Sequence, residues 1–170
     1  MNTKTEFYAE IRDFRLPKYS EIPDVGLFLE QTTKYISGLL PPLGGVSITS
    51  SMISNYVKQK LIANPVKKQY GRDQIAYLIF IAIAKSVLSL EHIQVLIDMQ
   101  KKSYDAKTAY EYFCEEFENA LRVAFGFQED YKAIGKQNSK QKVILRNTII
   151  AIAHKVYLEK ILTVWQESEE

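Results

Sequence analysis

The unbroken apolar run from Ile75 to Ala84 constrains this chain more than any other feature. It is about half the ~20 residues that a membrane span needs, so it predicts a buried helix and not a bilayer segment. Read as a helix it is apolar on every side, with no face to give to water, and other elements must surround it. The sequence therefore predicts a central core helix over about Arg72–Val87, with Asp73 favouring its start. A chain of 170 residues with 46% hydrophobic and 25% charged residues can bury such a core without covalent staples. Cys114 is the single cysteine, which excludes an intrachain disulfide and a cysteine-rich zinc site. It lies on an apolar stripe near Tyr110 and Phe117, as a small core hydrophobe would. These features, and the absence of an apolar segment within Met1–Glu10, lead to the expectation of a cytoplasmic protein without a membrane partner.

Around the core helix the chain reads as all-α. Residues 1–23 are expected to form an irregular, extended arm, with Phe14, Leu16, Tyr19 and Ile22 alternating with polar residues and prolines. Asp24 is placed to cap a helix whose apolar positions from Val25 to Leu39 follow the helical period, ending before Pro41-Pro42. Thr49 is expected to cap a short helix over Ser50–Lys60, and Ser89 another that begins at Leu90. Leu61-Ile62 and Val66–Tyr70 are expected to pair as two small strands around Asn64-Pro65, a wing that presents Lys67, Lys68 and Gln69. Two long helices follow, over about Ala106–Phe125 and Ser139–Gln166, with residues 127–138 as the loop between them. Glu115, Glu116 and Glu118 read as a solvated face. This divides the chain into an N-terminal arm over 1–23, a unit over 24–100 and a C-terminal helical pair over 105–170.

The charge is unevenly placed. Between Leu43 and Arg72 stand Lys58, Lys60, Lys67, Lys68 and Arg72 with no acid, whereas five basic residues face ten acidic ones from Asp73 to Asp130. A basic window on a balanced chain is the electrostatic footprint of a phosphate partner. The helix within that window is divided cleanly. Met52, Ile53, Tyr56 and Val57 recur at helical spacing and should face inward. Ser50, Ser51, Ser54, Asn55 and Lys58 form the other side, and short hydroxyls, an amide and a lysine suit base edges and phosphates.

Residues 46–93 resemble the winged helix-turn-helix of the MerR family of bacterial transcription regulators. The matching features are Tyr56 at the end of the recognition helix, Leu61-Ile62-Ala63-Asn64-Pro65, Tyr70-Gly71-Arg72-Asp73, and Leu88-Ser89-Leu90-Glu91-His92-Ile93. Four features depart from that pattern. Ser54 stands where the family has an arginine, Asn55 where it has an aromatic residue, and Lys60 where it has the turn glycine. Leu39–Gly45 replaces the first helix and its tight turn. As a whole the chain also resembles an uncharacterised bacterial family, a domain of unknown function found mainly in Gram-positive bacteria. The first resemblance implies an all-α fold with a MerR-like winged helix-turn-helix and a small β wing, followed by two C-terminal helices.

The expected function is sequence-specific binding of double-stranded DNA in transcription regulation, without catalysis or cofactor. Ser50, Ser51, Ser54 and Asn55 would lie nearest the bases. Lys58, Lys67, Lys68 and Arg72 would hold phosphates, with Gln69 and Tyr70 beside them. Tyr56 is expected to pack inward with its hydroxyl reaching the backbone. His92 and His154 read as structural, and no metal spacing or nucleotide fingerprint occurs. The alternative is a protein-interaction or adaptor module on the same scaffold that has lost DNA. The last helix is apolar over more than half its girth between Val143 and Trp165. That excess is expected either to be covered from within the chain or to form a homodimer through the C-terminal helices.

Overall fold

The computed structural model describes residues 3–131 and 139–169. Among these it contains α1 (Thr3–Asp13), α2 (Leu29–Ser37), α3 (Ser50–Lys58), α4 (Arg72–Ala84), α5 (Leu90–Lys101), α6 (Ala106–Ala124) and α7 (Lys140–Ser168). The chain is all-helical there, with only two isolated antiparallel bridges and no strands among the described residues. None of the described helices is long and apolar enough to cross a membrane.

α4 is the core helix that its composition demands: Ile75, Leu78, Ile79, Ile81, Ile83 and Ala84 are inaccessible to solvent. Gln74 starts it, its Oε1 accepting from the Gly71 backbone N–H at 2.8 Å. α4 packs on α2, α6 and α7, and α6 and α7 form the largest helix–helix contact. The caps stand where the sequence puts them. Thr49 Oγ1 accepts from the Met52 N–H at 3.1 Å, and Ser89 Oγ from the His92 N–H at 3.2 Å. α6 stops at Gly126, whose φ of 75° lets the Phe127 N–H turn back to the Arg122 carbonyl.

Several expectations are corrected. Part of the predicted arm is the helix α1, which buries Phe7 and Ile11. Phe7 meets Phe125 edge to face at 5.5 Å between centroids. The rest of the arm is strapped across α6: the Leu16 N–H donates to Glu118 Oε1 at 3.0 Å, and the Tyr110 hydroxyl to the Pro17 carbonyl at 2.7 Å. Asp24 caps nothing. The chain is not helical there, turns at Gly26 (φ 79°), and α2 begins at Leu29 after Phe28, whose N–H donates to Gln31 Oε1.

The predicted wing is also different. Tyr70 exchanges two backbone hydrogen bonds with Leu27, not with Leu61-Ile62, and Val66 exchanges two with Gln69. The tip is therefore the two-residue turn Lys67-Lys68, rather than Asn64-Pro65.

Glu116 is no part of a solvated face. It is almost fully buried, because α7 crosses α6 there and brings Arg146 to it. Arg146 donates to Glu116 Oε1 from Nη2 at 3.0 Å and from Nε at 3.2 Å, and the Tyr112 hydroxyl donates to the same oxygen at 2.9 Å. Burial, with the hydrogen bond to Glu116, pushes the Tyr112 phenol up to about 12. Glu118 is half-buried under the N-terminal strap, and only Glu115 is exposed. The predicted loop over 127–138 lies partly outside the described residues.

Candidate nucleic-acid interface

α3 is short, and its two faces are as unlike as the sequence suggests. Ile53 and Tyr56 are fully buried, Met52 and Val57 are half-buried against the core, and Ser51, Ser54, Asn55 and Lys58 are exposed. The Asn55 Oδ1 accepts from Gln59 Nε2 at 3.1 Å, which leaves its amide N–H groups facing out. Ser50 does something else: its hydroxyl lies 2.9 Å from the Thr33 hydroxyl and joins α3 to α2. Tyr56 packs inward as expected, but its hydroxyl has no hydrogen-bond partner among the described residues, so the expected backbone contact is not made. Lys85 lies over its ring, 5.7 Å from the centroid.

α3 ends in a Schellman turn, with the Lys60 N–H on the Val57 carbonyl and the Leu61 N–H on the Tyr56 carbonyl. The turn needs a left-handed residue after the cap, normally glycine, and here it is Lys60 at φ 61°. The same substitution recurs at the tip. The Val66–Gln69 turn has Lys67 at φ 50° and Lys68 at φ 63°, both in the left-handed region. Two consecutive positive φ values joined by reciprocal hydrogen bonds make a type I′ turn, which ordinarily takes Asn-Gly or Asp-Gly. Lys58, Lys60, Lys67 and Lys68 are exposed and form no ion pair with any described residue.

The remaining predicted residues point elsewhere. Gln69 lies against Gly26, where an added Cβ would come within 2.8 Å of its Oε1. Tyr70 is buried in the bridge to Leu27, and burial raises its phenol above the usual range. Arg72 is turned back onto the N-terminal strap. Its Nε donates to the Ile22 carbonyl at 2.9 Å, its Nη1 lies 3.7 Å from Asp24, and its guanidinium sits over Tyr19 at 5.4 Å. Six of the ten predicted residues thus remain on the outside: Ser51, Ser54, Asn55, Lys58, Lys67 and Lys68. Lys60 joins them; its sequence signals are its place in the acid-free window and at the turn glycine.

A cavity of about 80 Å³ lies between α4, α5, α6 and the start of α7, with Phe80, Met99, Phe113 and Leu145 among its walls and the Tyr77–Gln100 hydrogen bond at its edge. It is smaller than the roughly 300–1,000 Å³ of pockets that enclose drug-sized ligands. Two more open clefts are larger, about 460 Å³ at Tyr8, Arg12 and Phe127 and about 370 Å³ at Ile62, Gln74 and Tyr104.

Comparison with known proteins agrees with the broader of the two resemblances. No curated protein and no solved structure matches the chain, and no MerR-like helix-turn-helix family matches it. Residues 17–113, more than half of the chain, match a family described as a domain of unknown function, DUF1836. The span runs from the N-terminal strap through α2, α3, the lysine turn and α4 into α6, and the protein belongs to that family.

Proposed function

We propose that this protein binds double-stranded DNA through α3 and the Lys67-Lys68 turn, and that it regulates transcription in the cytoplasm without catalysis. The observation that carries the reading is the occupancy of the type I′ turn. Both left-handed positions hold lysine, a residue with no conformational reason to be there. Backbone strain of this kind collects at functional sites, where the side chain is worth more than the lost stability. Lys60 repeats the pattern one turn after α3. With Lys58 these side chains are exposed, form no ion pair with any described residue and come from a sequence window without acids, which suits phosphates, while Ser51, Ser54 and Asn55 offer exposed hydroxyls and an amide. In this reading α2 and α3 are the helix pair of a reduced, MerR-like winged helix-turn-helix, and the lysine turn is its wing.

Electrophoretic mobility shift of random duplexes at low salt tests it. The triple variant K58A/K67A/K68A, altered only at exposed side chains, is expected to lose the shift while keeping its helical circular dichroism. Equal binding by the triple variant overturns the assignment.

A second reading keeps the same surface for a protein partner. Val25 (83% exposed), Val66 (73%) and Phe28 (49%) stand out from the segments that meet at Gln69, and Arg72 is withdrawn from the face. An adaptor would use those apolar side chains. The variant V25S/F28S/V66S separates the readings, because it should leave DNA binding intact if lysine–phosphate contacts carry it.

A further inference from the structure

We propose that the outward face of α7 is a self-association surface, packed antiparallel against the same face of a second copy of this chain. α7 has two apolar sides. Ile149, Ile152, Ala153 and Val156 are buried against the body of the protein, and α6, α4 and α5 all contact the helix. The opposite side carries a second line, Ile144, Ala151, Leu158, Leu162 and Trp165, in steps of seven, seven, four and three residues. All five are exposed, with Leu158 at 53%, Leu162 at 60% and Trp165 at 66%. Steps of three, four and seven keep one stripe of a helix in contact with a straight partner helix. The intramolecular packing therefore covers one of the two apolar sides and leaves the other.

Three observations select a second copy as the occupant, and select its direction. The first is charge. Lys140 opens α7 and Glu169 stands at its C-cap, both exposed. A parallel pair would set lysines beside lysines at one end and glutamates beside glutamates at the other. An antiparallel pair sets Lys140 against Glu169 of the partner subunit at both ends. The second is size. With the two-fold axis between positions 154 and 155, Ala151 faces Leu158 of the partner subunit and Ile144 faces Trp165 of the partner subunit. The small Ala151 then meets the larger Leu158 of the partner subunit near the centre of the seam, and Asn147 comes opposite Leu162 of the partner subunit. The third is area. The exposed apolar side chains on this line amount to roughly 500 Å² per copy, so two copies bury at most about 1,000 Å², the low end for a specific, weak contact. The surface does not depend on nucleic acid.

Cysteine cross-linking of the full-length chain tests both the contact and its direction. In the antiparallel arrangement H154C lies at the axis and cross-links to itself under mild oxidation. W165C alone does not, because the two copies of position 165 sit at opposite ends of the seam. The pair I144C/W165C cross-links efficiently. The native Cys114 is buried and stays silent, which the unmodified chain serves to check. Light scattering of the wild type at tens of micromolar should give twice the 19.6 kDa chain mass. L158S/L162S, changed only at exposed positions, should give one chain mass with unchanged circular dichroism. A wild type that stays at one chain mass overturns the proposal, and so does W165C cross-linking as fully as H154C.

Discussion

Replacing Lys67-Lys68 by Asn-Gly should make the protein more stable and poorer at holding DNA. Both lysines occupy left-handed backbone at the centre of the Val66–Gln69 turn. A non-glycine residue in that region costs roughly 1–2 kcal/mol. K68G removes the cost but returns about 0.5–1 kcal/mol through the greater freedom of glycine in the unfolded chain. K67N recovers less, because asparagine tolerates the region without being free in it. The pair should therefore gain about 1 kcal/mol, which for a chain of this length raises Tm by roughly 2–4 °C. Urea unfolding followed by circular dichroism should show a higher midpoint with an unchanged slope. The DNA side is as specific: loss of two phosphate contacts lowers the magnitude of the log K against log salt slope by about 2. A variant no more stable than wild type would refute the claim that the turn is strained. A more stable variant with an unchanged salt slope would refute the claim that the strain serves phosphate binding.

Further expectations rest on individual contacts. R146M strands a buried carboxylate at Glu116, and with Arg146 still 31% exposed the cost should be about 2–3 kcal/mol. The double variant E116L/R146M should recover most of that loss in urea unfolding, and no recovery would mean that the pair does not hold α7 on α6. Y56F removes a buried hydroxyl without a partner among the described residues, and should leave stability unchanged or raise it by about 1 kcal/mol. Burial holds the Glu118 carboxyl above its usual range, despite the hydrogen bond from the Leu16 N–H. The folded chain thus keeps this proton to higher pH than the unfolded one, and stability falls as pH rises through the folded value. E118Q keeps the acceptor and loses the titration, so its advantage over wild type should grow as pH rises above the ordinary carboxylate range of about 4.

What the sequence made legible was whatever depends on neighbours a few residues away. Ten consecutive apolar residues left α4 no place but the core, and Thr49 and Ser89 announced the starts of α3 and α5. The inward and outward faces of α3 followed from its period. Less legible was what depends on distant segments. α1 buries only a narrow pair, Phe7 and Ile11, and its partner Phe125 stands at the far end of α6. Glu116 looks like a solvated acid until α7 crosses over it. Arg72 reads as a phosphate ligand because it closes the acid-free window, whereas the carbonyls of Ser20 and Ile22 that hold it arrive with the N-terminal strap. The lysine turn was hidden for a different reason. Residue preference places the tip at Asn64-Pro65, and lysine is the wrong residue with which to announce a type I′ turn.

If Lys58, Lys60, Lys67 and Lys68 hold DNA phosphates, binding must weaken steeply with salt. Anisotropy of a labelled random duplex, titrated with the wild-type protein from about 50 to about 200 mM salt, reads the number of phosphates contacted. Contacts by Lys58, Lys60, Lys67 and Lys68 predict a log–log slope of about −3 to −4. No binding at the low-salt end, or binding indifferent to salt, would mean that these lysines hold no phosphates.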